Sequence, residues 1–340
     1  MGHHNIKTLK VASFNLLNLI QPNTKFYGKR FYTQEEYEKK KTWISLQLTK
    51  MDADIVGFQE LFDETSLREI VEQHPLYKGA DIVMGARKGG SPAVAIVSRY
   101  PIRSYTVYSD FPEQLEVDGL VVPFTEFSRP ILKAEVELPS GLPLTVFVAH
   151  LKSKRPLIPD SVVDRHDPLE ISKGEARSLL LRASEANALR TILMESLRER
   201  DHPVITLGDL NDTHTSVTTQ IISGQAPPRF WSMEQKKKLW DILLYHVKDI
   251  QARQSSQDVY YTHIHNGHYE SLDHIMVSQE LVKENPNRVG RVVYVRTFND
   301  HIVDQTFANN KINCWESDHA QVVATIELED RDYNHYKNKQ

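Results

Sequence analysis

At six places in this 340-residue chain an apolar run borders a metal-competent or proton-competent side chain. "LKVASFN" exits at Asn15, "DIVGFQE" at Glu60, "LTVFVAH" at His150 and "PVITLGD" at Asp209, with Asn211 and Asp212 just beyond. Two later runs reverse the order: Asp273 and His274 precede "IMVS", and Asp318 and His319 precede "AQVVATIEL". Singly, each has an ordinary structural explanation. Asn15 and "GDLND" suit turns, Glu60 suits a helix start, and Asp318 after Ser317 suits a strand entry. Together they form a set of oxygen donors without thiolate, which suits magnesium or manganese, ions bound through a few carboxylates with several waters retained. Imidazoles beside such a set suit proton transfer, or neutralisation of charge developing on phosphate. The chemistry this set would perform is phosphodiester or phosphomonoester hydrolysis.

For the clusters to meet, the runs must be strands, and the last two must run antiparallel to the first four. β-branched content and length favour strands for these six and for "AVAIVSRYP" and "ILKAEVEL". Helical periodicity spans Gln34 to Lys50, with Tyr37, Trp43, Ile44 and Leu48 on the apolar face. A second helix is expected from about Glu175 to Arg200, with Leu179, Leu180, Ala183, Ala186, Leu189, Ile192, Leu193 and Leu197 facing inward. Hairpins such as "ILKAEVELPSGLPLTVFVAH" mixed with strand-helix-strand units predict an α+β protein: packed sheets with helices outside, not a purely parallel doubly wound fold. No repeat or Pro/Gly/Ser linker divides the chain, so residues 1–340 are expected to form a single catalytic domain with a polar tail from about 329. The longest irregular piece, "RPLIPDSVVDRHDPLEISKG", follows the His150 run directly, and loops of that length are usually functional or disordered.

Bulk composition narrows the partners. With 41 Lys and Arg against 45 Asp and Glu, the net charge is −4, which argues against coating nucleic acid by electrostatics alone. Polyanion contact must then be local, and Lys152, Lys154 and Arg155 in "HLKSKRP" are the candidates for binding substrate phosphates. Arg129 and Arg99 either reach phosphate as well or are surface arginines. The single cysteine, Cys314, excludes an internal disulfide and a cysteine-rich zinc site. No apolar run is long enough to cross a bilayer, and "MGHHNIKTLKVASFN" lacks the pattern of a secretory signal, so a cytoplasmic location is expected. His263, His265, His268 and His274 in "YTHIHNGHYESLDH" invite a zinc reading, but without helical register or cysteine partners the stretch reads better as a loop beside the substrate.

In family order, "SFNLLNL", "ADIVGFQEL", "AVAIVSRYPI", "FVAHLKSK", "ITLGDLND", "SLDHIMVS" and "ESDHAQVV" resemble the motifs of the endonuclease/exonuclease/phosphatase superfamily, the deoxyribonuclease-I-like enzymes. They span Ser13 to about Val323. The resemblance implies a four-layer α/β/β/α sandwich with two mixed sheets and a catalytic rim at the strand ends. It implies metal binding by Glu60, with Asn15 nearby and Asp318 as a further contact. Asp209 then orients or deprotonates the attacking water, Asn211 holds that water or a phosphate oxygen, and Asp273 orients His319 against the scissile phosphate. His150 would protonate the leaving oxygen or bind phosphate. AP endonucleases commonly carry tyrosine there, and an aspartate where this chain has Leu17, so the match lies closer to bacterial nuclease-like members. The implied activity is Mg2+- or Mn2+-dependent hydrolysis. Nucleic acid is the leading substrate, a small phosphorylated metabolite or lipid head group the alternative, and a noncatalytic binding protein a third reading. No protein partner is implied.

Overall fold

The computed structural model describes residues 7–28, 30–112, 123–198, 202–254, 260–265, 267–304 and 313–329. The tail expected from about 329 lies outside them from 330 onward. In chain order the elements are β1 (Lys7–Leu19), α1 (Gln34–Met51), β2 (Ile55–Leu61), α2 (Glu64–Gln73), β3 (Asp81–Met84), β4 (Ala93–Ser98), β5 (Ile102–Asp110), β6 (Glu126–Glu137), β7 (Pro143–His150) and α3 (Pro168–Leu197). Then come β8 (Val204–Asp209), α4 (Val217–Ser223), α5 (Met233–Trp240), β9 (Tyr245–His246), α6 (Val247–Gln254), β10 (His263–His265), β11 (His268–Glu270), β12 (Asp273–Val277), β13 (Gly290–Phe298) and β14 (Gln321–Leu328).

Among the described residues the strands form two six-stranded sheets, ordered β13-β14-β1-β2-β4-β3 and β5-β6-β7-β8-β12-β9, and a small β10-β11 hairpin. Both large sheets are mixed: β1 and β2 are parallel, as are β7 and β8, whereas β14 is antiparallel to β1 and β12 to β8. The strand directions required for the six clusters to share a rim are therefore present.

Period-two alternation splits each central strand between two cores. Val11, Ile55, Ile96, Val146, Leu207 and Ile275 pack between the sheets, while Ala12, Phe14, Val56 and Phe58 face α1 and α2, and Phe147, Ala149 and Met276 face the α3 side. Full burial of each large aliphatic side chain contributes roughly 1.5–3 kcal/mol, which makes four layers, and not two, the economical arrangement for strands that are apolar on both faces. Gly57 lies where the sheets approach tightly: a Cβ there would sit 2.1 Å from Leu207 Cδ1.

α1 begins at Gln34 as its capping box, Thr33 with Glu36, dictates. α3 differs from expectation. It starts seven residues early, at Pro168, because Asp167 caps it and proline suits the first turn. Gly174, inside the piece expected to be irregular, lets residues 156–158 cross the helix: a Cβ would stand 2.9 Å from Pro156 Cβ. The inward face is also rotated. Leu179 and Leu180 are exposed, whereas Arg182 and Glu185 are buried with Ala186, Leu189, Ile192 and Leu193.

Candidate active site

Alternation carries the polar residues to one place. The parity that turns Leu9 and Val11 toward the opposite sheet also turns Asn15 there, and the same rule takes Val146 and Val148 to His150, Ile205 and Leu207 to Asp209, and Ile275 and Val277 back to Asp273. All four sit where their strands leave the inter-sheet core, and Asp209 and Asp273 are register partners on adjacent strands. Glu60 breaks the rule. Val56 and Phe58 point to the helices, so strict alternation would send Glu60 outward, but a bulge between Phe58 and Leu61 and a left-handed backbone (φ 64°) at Glu60 turn its carboxylate to Asn15. Holding a non-glycine residue left-handed costs about 1 kcal/mol or more, a strain commonly stored at functional sites. Asn211 is also left-handed, at φ 54°.

Asp209 is the hub. Its Oδ2 accepts from Asn15 Nδ2 at 3.2 Å and lies 3.5 Å from His150 Nε2 and 3.8 Å from His319 Nε2. Its Oδ1 accepts the backbone N–H of Asn211 at 2.9 Å. Asn15 Nδ2 also reaches Glu60 Oε1 at 3.4 Å, and Asn15 Oδ1 accepts from the Leu17 amide, which fixes the orientation of the side chain. Asn211 Nδ2 donates to the Leu151 carbonyl at 3.0 Å, so this residue ties the β7 exit to the β8 exit.

His319 is held from several sides. Its Nδ1 donates to Asp273 Oδ2 at 2.8 Å, its backbone N–H donates to Ser317 Oγ, and Ser317 Oγ donates to the Asn15 carbonyl at 2.8 Å. The His319 carbonyl accepts from His301 Nε2, and the Asp318 carbonyl accepts from His263 Nδ1, each at 3.0 Å. The entrance to β14 is thereby tied to the end of β1 and to the β10 hairpin.

The electrostatics separate these groups. Burial pushes the Asp209 carboxyl up to about 7, with Asp273 and Glu60 adding to the rise and His319 opposing it. Burial and the Asp318 carboxylate raise Glu60. Burial alone would lower His319, but the Asp273 and Asp209 carboxylates overcome it and lift the imidazole well above its usual range. Burial, with Arg129, His319 and Lys152 nearby, holds His150 well below it, so His150 is neutral at pH 7. A neutral His150 can donate a hydrogen bond but is not a reservoir of a labile proton.

The donor set fits a divalent cation. Asp318 Oδ1 is buried and without a hydrogen-bond partner among the described residues, Glu60 is partly buried with Asn15 Nδ2 as its one donor among them, and the Asp318 carboxylate nearby raises it, so the pair calls for a counter-ion. Asp209, Asp273 and His319 each bring one ligand atom within 4.8 Å of the others, as do His263, Asp318 and His319.

The basic stretch after His150 is mostly engaged elsewhere. Lys152 Nζ donates to the carbonyls of Ser153 and Arg155, and burial, with Arg129 beside it, lowers that ammonium to about 8. Lys154 pairs with Glu270 at 2.9 Å. Arg155 is exposed, and its carbonyl accepts from Ser178. Arg99 lies at the far end of β2, paired with Asp52 and Asp54, and is structural. Arg129 is at the rim: its Nη1 donates to the Leu151 carbonyl, and its charge is felt by Glu60 and His150.

Four residues at the rim escape sequence reasoning. Glu185 accepts the amides of Ser128 and Lys152, each at 2.7 Å, and Arg182 reaches Asp212 and the Lys152 carbonyl, so the buried polar pair on α3 clamps both strand exits. Lys40, hidden in the run "EKKKTW", is fully buried between Tyr37 and Ile44 on the α1 stripe. Burial lowers it to about 8 against the pull of Glu60, Cys314 and Asp318. Its spacing of three and four from apolar neighbours is the signal that marks it. Tyr27, left-handed at φ 46°, stands half exposed against Phe62, where burial and Glu60 raise its phenol while Arg129 and Arg155 oppose.

Two mixed sheets face to face, helices outside and a polar centre at the strand ends define an α/β/β/α sandwich with its site on one rim. The sequence model described as the Endonuclease/Exonuclease/phosphatase family matches residues 12–319, and the chain belongs to that family, whose members are phosphoester hydrolases. No curated protein matches the sequence. Among solved structures, an endonuclease/exonuclease/phosphatase family protein from Bacteroides thetaiotaomicron superposes with a TM-score of 0.57 at 16% identity, covering 96% of this chain and 100% of that one. A mannosyl-6-phosphatase from the same organism gives 0.54 at 16% identity, covering 94% and 99%. D. rerio TDP2 in complex with a single-strand DNA product gives 0.53 at 14% identity, covering 94% and 98%. At these identities the likeness is one of fold. No helix among the described residues is long and apolar enough to cross a membrane.

Proposed function

We propose that this protein is a divalent-metal-dependent phosphoesterase. The observation that carries the reading is the placement of one Asp209 oxygen against Asn15, His150 and His319, with the proton affinity of that carboxyl brought near 7. Glu60 and Asp318 would hold a magnesium or manganese ion, which supplies Lewis-acid neutralisation of a phosphate oxygen, and Asn15 Nδ2 steadies the Glu60 carboxylate beside it. Asp209 orients the attacking water and receives its proton as the water oxygen bonds to phosphorus and the ester P–O bond breaks. His319, held protonated by Asp273, faces the phosphoryl group and delivers its Nε2 proton to the departing oxygen. His150, neutral, donates a hydrogen bond to the phosphoryl oxygens. Asn211 keeps the two strand exits in register, and Arg129 and Arg155 face the flanking phosphates.

The leading substrate is nucleic acid. Tyr27 supports it by offering a half-exposed ring beside the rim, the kind of surface on which a base stacks. A second reading, a compact phosphate ester such as a phosphorylated metabolite or lipid head group, is favoured by the internal engagement of Lys152 and Lys154, which removes two of the three cations expected to track a polyanion. A panel of duplex and single-stranded DNA, RNA, phosphomonoesters and phospholipid head groups, assayed in Mg2+, Mn2+ and chelator, separates them. Nuclease activity should weaken steeply with salt, and hydrolysis of a compact ester only mildly. Metal-dependent hydrolysis surviving Asp209→Ala and His319→Ala unchanged would sink the whole reading.

A further inference from the structure

We infer that His263, Asp318 and His319 form a second cation site, selective for a nitrogen-preferring divalent ion of the zinc class, whose occupation withdraws His319 from hydrolysis. The three residues each place one ligand atom within 4.8 Å of the others. His263 comes from the β10 hairpin, 55 residues before Asp318, and no sequence spacing joins them.

The tautomers are set by the neighbours. His263 Nδ1 faces the Asp318 carbonyl at 3.0 Å, and because a carbonyl only accepts, Nδ1 carries the hydrogen and Nε2 keeps its lone pair. A backbone carbonyl fixing the far nitrogen in this way is the usual support for a metal-binding imidazole. His319 is committed the same way: Nδ1 is engaged by Asp273 Oδ2 at 2.8 Å, which leaves Nε2 as its ligand atom once the cation displaces to solvent the proton that Nε2 carries. The two rings lie 4.8 Å apart between centroids, tilted by 31°. Asp318 Oδ1 adds a buried carboxylate oxygen that has no partner among the described residues.

Two imidazoles and one carboxylate match zinc in its three-ligand sites, where water fills the remaining position, and fit magnesium poorly, since magnesium takes oxygen ligands. The site therefore differs in preference from the oxygen-rich set around Glu60. It shares Asp318 with that set and His319 Nε2 with the phosphate-facing role assigned above. The exclusion of hydrolysis rests on that functional reading, and cation binding does not.

The test begins without substrate. The full chain and its His263→Ala variant, both shown folded by circular dichroism, are titrated with Zn2+ against a chromophoric chelator. The His3–His4 pair is present in both and cancels. The wild-type chain should hold one zinc equivalent with at least about tenfold higher affinity than His263→Ala. Equal affinities, or no zinc held by the wild type, overturn the site. In the second arm, hydrolysis in Mg2+ by the wild type should fall on adding zinc, and His263→Ala, with each rate taken relative to the same protein's zinc-free rate, should need about tenfold more zinc for the same fractional loss. Zinc bound with the rate unchanged overturns the exclusion. Should no substrate be hydrolysed at all, the functional reading fails while the binding arm still decides the site.

Discussion

His319 Nδ1 and Asp273 Oδ2 meet at 2.8 Å across 46 residues of sequence, one at the entrance to β14 and the other at the first residue of β12. The two residues belong to different sheets, so this bond spans the gap between them. It also decides the charge of the imidazole. Burial would strip the proton from His319, and the Asp273 carboxylate, with Asp209 behind it, restores it.

Asp273→Asn keeps the shape and removes that charge. The His319 pKa should fall toward or below its ordinary 6.5, so the alkaline limb of the pH–rate profile should move down in pH. At pH 8 the rate should drop roughly 10²-fold, within the range general acid catalysis contributes. An alkaline limb that stays in place would show that His319 does not act as a cation.

The acid limb belongs to Asp209. Its carboxyl is pushed up to about 7, so the ionised form needed to take a proton accumulates as pH rises through 7 and is lost below it. Mg2+ or Mn2+ should shift this limb to lower pH, because a nearby cation favours the carboxylate. Asp209→Asn should cost roughly 10²- to 10⁴-fold in kcat and abolish the limb. Chelator should remove activity, and Glu60→Gln should raise the metal concentration needed for half-maximal rate.

Gly208 adopts φ 141° beside Ala149, and a Cβ there would lie 1.9 Å from the Ala149 carbonyl oxygen. Since the obstruction is backbone, Gly208→Ala must push apart the β7–β8 pair that carries His150 and Asp209. A loss of about 3 kcal/mol or more in urea unfolding is expected. A wild-type midpoint in this variant would refute the close approach.

His246 gives a stability signature. It is buried beside His274, neither ring nitrogen has a hydrogen-bond partner among the described residues, and burial followed by His214 lowers it to about 4. A depressed histidine pKa means that stability present above 6.5 is lost as pH falls through the folded value. The full loss from this group is about 3 kcal/mol, of which roughly 2 has gone by pH 5. His246→Phe should be close to neutral at pH 7.5 and more stable than wild type by about that amount at pH 5, read from urea midpoints at the two pH values.

Much of the frame was legible locally. The strand runs ending at Asn15, His150 and Asp209, and beginning at Asp273 and Asp318, could be read because alternation is a property of neighbours in sequence, and it already says which face a strand-end side chain must take. The α1 start was legible in its capping box. The start of α3 was written in Asp167-Pro168 but masked by Gly174, whose reason is a crossing segment that no local window contains.

What only the tertiary structure decided concerns groups that depend on partners distant in the chain. Glu60 reaches the rim through a bulge and a left-handed backbone, against its strand parity. Arg182 and Glu185 are buried because the loops after β7 and β8 present an amide, a carbonyl and a carboxylate to them, and Ser128 of β6 presents a second amide. Lys152 and Lys154 look like free cations until the fold supplies carbonyls and Glu270. The protonation of His319 follows from carboxylates 46 and 110 residues away. Sequence by itself determined residue types, strand faces and helix caps, because those obey short-range sterics. Charge states and metal-ligand sets are long-range sums over burial and neighbouring charge, and they exist only once the sheets have packed.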